Sequence, residues 1–207
     1  KVAQMIGYPL EISTNGFEPK PNVNQPYYDV MNDYIAYTQY ELNAATGMAC
    51  LEYCHRRNIN EDIIKRFQIG YAPAQEKSYH YLKAKKYSDE ILLDTGLIRE
   101  GNDGYTSTFF DRLMIPIHDE NGNPVGFTAR IITNKEGAPK YINTSQTKIY
   151  EKSNLVFNYH RAKDFARKNI VVSWLREPWM SLPWKKPISM KVLLVWEQPV
   201  RQIRSIY

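Results

Sequence analysis

Apolar and polar residues recur along this chain first with a helical period and later with the period of a strand. From Tyr27 onward, Val30, Met31, Tyr34, Ile35, Thr38 and Leu42 follow at three- and four-residue intervals and share one face. This predicts a long, Tyr-rich helix opened by Pro26. A second helix is expected over 44–57, with Met48, Leu51 and Tyr53 or Cys54 turned inward. Asn60 is placed to cap a third, whose Ile63, Ile64 and Phe67 face the core and which Gly70 should stop. Shorter helices follow at 77–84 and 88–94, the second capped by Ser88 and ended at Gly96. After Gly104 the period falls to two, and the apolar runs 113–117 and 125–132 flank an Asp-Glu-Asn-Gly turn at 119–122, which predicts a hairpin. Residues 139–143 and 155–158 read as short extended pieces, 159–167 as a helix and 170–172 as a strand. Upstream, 1–10 looks like the end of a helix, and 11–25 shows no periodicity and reads as a linker. The expected class is α+β, a helical first half followed by a small mixed β-sheet with a basic face.

Composition narrows the possibilities. The 207 residues, 43% hydrophobic and 24% charged, suit one compact domain. No apolar run approaches the roughly 20 residues of a membrane span, so no membrane role is expected. Residues 1–30 lack a basic stretch followed by an apolar one, and two Cys agree with a reducing compartment, so the expected location is cytoplasmic. A net charge of +5 invites a nucleic-acid partner, but most of it is concentrated at one end. Residues 173–207 hold six Lys or Arg against two Glu, together with all four Trp and no Gly, Ala or Asp. That tail needs an explanation separate from the body.

Most candidate chemistry in the body is weak. Cys50, Cys54 and His55 fall short of the four or so ligands of a zinc site, so buried thiols on a helix are the better reading. Tyr27, Tyr34, Tyr37 and Tyr40 could stack on bases, yet their helical spacing argues for packing. Arg112, Arg130, Lys140, Lys148 and Lys152 are more informative. They are spread over hairpin and loop positions with Asn143, Thr144, Ser145 and Thr147, an arrangement suited to binding phosphates without sequence preference. An ordinary solvated surface is the competing reading.

Four stretches in order add a resemblance. They are ACLEYCHRRN from Ala49, FQIGYAP from Phe67, FDRLMIPIHD from Phe110 with GFTAR from Gly126, and PKYIN from Pro139 with IYEK from Ile149. Over roughly residues 27–172 the chain resembles the N-terminal part of the RNA-polymerase core of bacterial replicative primases of the DnaG type. The resemblance implies that Arg112, Arg130, Lys140, Tyr141 and Asn143 line a basic groove holding template and the phosphates of incoming nucleotide or primer. Two departures stand out: Phe110 where the family commonly has a second Arg, and Thr128-Ala129 where it usually has Gly-Gly.

The implied organisation is the end of a preceding region and a linker over 1–26, the core's N-terminal subdomain over 27–168, and the first strand of a Toprim domain over 169–172. The implied activity is that of a DNA-directed RNA polymerase, a nucleotidyltransferase that makes short RNA primers on single-stranded DNA from ribonucleotides. The replicative helicase is an expected primosome partner through a C-terminal region. Magnesium or manganese in the Toprim domain and zinc in a preceding domain are the implied cofactors, with ligands outside this chain. After Val172, Ser173-Trp-Leu-Arg-Glu177 stands where the family has Glu-Gly, so no catalytic residue and no metal ligand is assigned here. The chain by itself is expected to be inactive, and a non-catalytic single-stranded nucleic-acid-binding module is the alternative.

The resemblance also accounts for the tail. Read one base out of frame, Trp179-Met180 must yield Asp, Trp184-Lys185 and Met190-Lys191 must yield Glu, and Trp196-Glu197 must yield Gly. The degenerate junctions permit Val-Val-Val-Glu-Gly-Thr-Met-Asp from Val172 onward, with the forced Asp in place. Residues 173–207 are therefore expected to be an out-of-frame tail with no native domain.

Overall fold

The computed structural model describes residues 22–101, 104–133, 137–163, 174–175 and 191–193. The expected helix end at 1–10, most of the linker and the strand at 170–172 lie outside them. So does the tail at 173–207, apart from those five residues.

Helix α1 (Gln25–Asn43) is opened by Pro26 and buries Val30, Met31, Tyr34, Ile35, Thr38 and Leu42 as the periodicity requires. Tyr27 is only half-buried, whereas Tyr28, Tyr37 and Glu41 are also covered. A short 3₁₀ turn (Ala45–Gly47) leads into α2 (Met48–Arg56). Cys50 and Cys54 form its buried face, whereas Met48, expected inward, opens the helix beside the 3₁₀ turn and is exposed. Asn60 caps α3 (Glu61–Arg66), its Oδ1 accepting from the Ile63 N–H at 3.0 Å.

Gly70 does not stop that helix. The chain already leaves it at Gln68, which takes the left-handed conformation (φ 52°), and Gly70 begins β1 (Gly70–Ala72). A Cβ at Gly70 would collide with the side chain and backbone of Thr38, so the glycine is what lets this strand lie against α1. Helices α4 (Gln75–Ala84) and α5 (Asp89–Asp94) follow. The Ser88 hydroxyl caps α5, and Gly96 ends its turn at φ 71°. A ribbon of β2 (Ile98–Gly101) and β3 (Gly104–Ser107), which the alternation did not reveal, precedes the main sheet.

The main sheet adds the expected hairpin, β4 (Arg112–His118) and β5 (Pro124–Ile131), and β6 (Tyr141–Asn143), in the order β1-β4-β5-β6. Asp119 makes the turn: its Oδ1 accepts from the Asn121 and Asn123 amides at 2.9 and 2.8 Å, and Gly122 supplies φ 89°. Every ladder of this sheet is antiparallel. The mixed character expected of it is confined to a small sheet of β7 (Val156–Phe157), β8 (Trp174–Leu175) and β9 (Lys191–Leu193), where β7 and β9 run parallel. Residues 159–163 are helical, as anticipated.

Two cores pack the sheet on opposite faces. Against α1, α4 and α5 lie Ala72, Met114, Phe127 and Ala129, with the Tyr34 ring edge-on to Phe127 at 5.4 Å. Tyr71 and Leu113 turn the other way, onto Leu42, Cys50, Cys54, Ile59, Ile64 and Ile69. The second arrangement seats α2 over the face that carries Arg130.

Candidate nucleic-acid interface

Register decides which basic side chains meet. Leu113 pairs with Arg130, and Arg130 pairs in turn with Tyr141; Thr128 pairs with Asn143. Arg130, Tyr141 and Asn143 therefore share the face turned toward α2. Arg112 pairs with Ala72 and Ile131 and belongs to the opposite face.

Arg112 is only 4% exposed. Its Nη1 donates to the carbonyl oxygens of Pro139 (2.9 Å) and Lys140 (3.5 Å), and burial pulls its pKa below the ordinary value. Its charge is thus spent on the main chain just ahead of β6. It fixes the segment that presents Lys140, which is exposed, and Tyr141. The Ile131 amide, donating to the Lys140 oxygen at 3.0 Å, fastens the same segment from the hairpin side.

Arg130 is half-buried, and its guanidinium carbon lies 5.3 Å from the Tyr141 ring centre and 5.0 Å from that of Tyr53 on α2. Arg57, at the end of α2, lies 5.6 Å from the same Tyr53 ring. A similar unit sits farther along: Phe67 stacks on Phe157 (6.3 Å, 11°) and carries Arg161 at 5.6 Å. Burial, and then the neighbouring Arg66, pull the Arg161 pKa down. Among the described residues, Arg57, Arg130 and Arg161 have no carboxylate within ion-pair distance.

The lysines around α1, α4 and α5 are arranged differently. Lys83 meets Asp89 at 3.0 Å, Lys85 meets Asp33 at 3.5 Å, and Lys148 meets Asp94 at 2.7 Å. Lys148, placed with the phosphate-binding candidates by its sequence position, is therefore already neutralised. Thr144 and Thr147 are occupied as well. The Thr144 hydroxyl accepts from the buried Phe127 amide at 2.8 Å, and that of Thr147 accepts from the Tyr150 amide at 3.0 Å. Arg57, Arg130 and Arg161 are thus uncompensated cations that rest on aromatic rings, which leaves guanidinium N–H groups able to meet phosphate oxygens.

Tyr53, Arg57, Phe67 and Arg161 were not singled out for binding in the sequence. Tyr53 and Arg57 are four apart on one helix and so could have been read as neighbours. Nothing local placed Arg130 on the same ring.

The thiols match their reading: Cys50 and Cys54 are free and buried, and their mutual hydrogen bond together with burial pushes the Cys50 thiol up. Among the described residues no group of three or more His, Cys, Asp and Glu is disposed to hold a metal ion. No helix there is long and apolar enough to cross a membrane. A cleft of about 450 Å³ is lined by Asp119, Glu120 and Glu151, carboxylates that would repel phosphate.

Comparison with known proteins places the chain in a family. A family model described as the DNA primase catalytic core, N-terminal domain, matches residues 37–163. A DNA primase of Synechococcus elongatus is 38% identical over 141 residues, which cover 66% of this chain and 20% of that protein. One of Lactococcus lactis is 33% identical over 184 residues, 88% of this chain and 29% of that protein. The chain thus spans less than a third of either relative. The RNA polymerase domain of Mycobacterium tuberculosis primase DnaG superposes with a TM-score of 0.66 at 27% identity, covering 70% of this chain and 47% of that one. A DnaG primase catalytic domain bound to ssDNA gives 0.61 at 28% identity, covering 69% and 45%.

Proposed function

The chain belongs to the family of the DNA primase catalytic core, N-terminal domain, and from that premise we propose that the face between α2 and β6 holds single-stranded DNA template for the synthesis of short RNA primers. The observation that carries this reading is Arg130, set against the Tyr53 and Tyr141 rings without a carboxylate partner and next to the exposed Lys140. Contacts of this kind neutralise phosphate and stack bases without reading sequence, as template binding at many sites demands. Arg112 acts through the main chain, holding Lys140 and Tyr141 in place. A similar DnaG primase catalytic domain was solved bound to ssDNA, which supports single-stranded DNA as the ligand class.

In this proposal nucleotidyl transfer belongs to a Toprim domain with its own divalent metal. A zinc-binding domain and the helicase contact belong to other parts of the primase. The residues of this face orient the strand and bind its phosphates.

Titration of the chain against a fluorescent oligothymidine at two salt concentrations tests the assignment. Lys140→Ala and Arg130→Ala should each weaken binding and lower the slope of log K against log salt by about one. Unchanged affinity and slope in both variants would overturn it.

A further inference from the structure

We propose that Arg161, seated on the Phe67–Phe157 ring pair beside Arg66, is the centre of a polyphosphate-binding site built from other elements than the template face. Polyphosphate is the chemistry shared by a nucleoside triphosphate, by pyrophosphate and by the 5′ end of a triphosphate-bearing RNA. The site stands independently of the template-binding reading.

Two distant stretches of the chain make it. Arg66 is the last residue of α3 and Phe67 its C-cap, and Gln68 leaves the helix in the left-handed conformation, so both side chains stay at the helix end. Phe157 belongs to β7, and Asn158, also left-handed (φ 62°), turns the chain from that strand into the short helix 159–163 that carries Arg161. The two rings lie 6.3 Å apart and within 11° of parallel, and the Arg161 guanidinium carbon is 5.6 Å from the Phe67 ring centre. Both rings are half-buried and both arginines are exposed. A ring holds a guanidinium in place without accepting its hydrogen bonds, so the N–H fork of Arg161 is left for an external oxyanion.

Positive charge is concentrated here. Burial and then Arg66 hold the Arg161 pKa down, and beyond burial the Arg161 charge reaches His118 and His160 and holds theirs down too. Asp119 opposes these cations, but its oxygens are already taken. Its Oδ1 accepts from the Asn121 and Asn123 amides, and its Oδ2 accepts from the Asn123 side chain at 3.0 Å. Lys163 adds another cation, its Nζ donating to the Glu120 carbonyl oxygen at 2.8 Å, a bond that leaves the charge uncancelled. Tyr159, which lines the acidic cleft, is two positions from Arg161, and residues so spaced on a helix do not share a face. A single strand presents one charge per nucleotide along its length, whereas a polyphosphate gathers several on adjoining phosphates. Closely set guanidinium groups suit the second, because their planar forks take phosphate oxygens in pairs.

Calorimetric titration of the whole chain with inorganic tripolyphosphate, at neutral pH and without metal, tests the site. Arg161→Ala should weaken binding by about tenfold, the loss of one charge-assisted contact. Arg161→Lys should recover part of that, since an ammonium keeps the charge without the fork. Arg66→Ala should cost less than Arg161→Ala. In NMR spectra the His160 ring signals should move when tripolyphosphate is added to the parent and stay still in Arg161→Ala. Arg130→Ala should keep the parental tripolyphosphate affinity while weakening oligothymidine binding. Melting curves check that each variant folds, and Arg161→Gln replaces Arg161→Ala if that variant does not. Titrations with pyrophosphate, with ATP and with one RNA oligomer bearing a 5′-triphosphate or a 5′-hydroxyl separate the sources: the probe whose binding suffers most in Arg161→Ala is the one the site takes. Parental tripolyphosphate affinity in Arg161→Ala, loss of binding in Arg130→Ala, or no binding by the parent would each overturn the site. Unchanged oligothymidine binding in both Arg130→Ala and Lys140→Ala would remove the template reading and leave this one standing.

Discussion

Acidification to about pH 5 should destabilise this fold through one buried imidazole. His118 closes β4 at 8% exposure, its ring 4.9 Å from that of His160. Burial, then His160 and Arg161, push its pKa down from 6.5 to about 4, with only Asp119 opposing. The unfolded chain accepts a proton on this residue near pH 6.5 and the folded chain only near pH 4. Between those values the unfolded state binds more protons, so stability is complete above the upper value and falls as pH falls through the window. From about pH 7.5 to about pH 5 the loss is worth about 2 kcal/mol, a large share of a typical domain's stability. His160, also held down chiefly by burial, adds in the same direction. Urea unfolding at the two pH values, on the parent and on His118→Gln, measures the effect: the parent should lose stability on acidification and the variant should lose about 2 kcal/mol less. An equal pH dependence in the two proteins would refute the argument, because the imidazole would then not be its source.

Two further outcomes follow. Gly70→Ala should lower the melting temperature by several degrees, since its Cβ would fall 2.6 Å from Thr38 Cβ and 2.7 Å from the Thr38 carbonyl carbon, an overpacking cost of roughly 1–3 kcal/mol; a parental melting temperature in a thermal scan would contradict the close approach of α1 and β1. Reading the coding DNA checks the tail: the frame shifted by one base after codon 172 should encode Glu-Gly-Thr-Met-Asp, and codons incompatible with that string would dismiss the frameshift.

Local chemistry was legible wherever neighbours in sequence are neighbours in space. The apolar face of α1, the Asn60 and Ser88 caps, the Asp119 turn between β4 and β5 and the burial of the two thiols all depend on residues a few positions apart. Periodicity and capping express the same backbone geometry that builds these elements, so the sequence alone determined them. It also supplied the motifs that assign the family. The binding face was different, because charge in a sequence carries no information on its partners. Lys148 looked free until α5 brought Asp94 to it, 54 positions away. Arg112 looked like a groove residue until strand register paired it with Ile131, on the other face of the sheet from Arg130, and burial turned it onto the Pro139 and Lys140 carbonyls. Tyr53 meets Arg130 only because α2 is seated on the hairpin by the core around Cys50, Cys54 and Leu113. Antiparallel pairing fixes which side chains share a face, and packing fixes which helix covers it; both join residues distant in the chain, so tertiary structure alone decided which cations remain uncompensated.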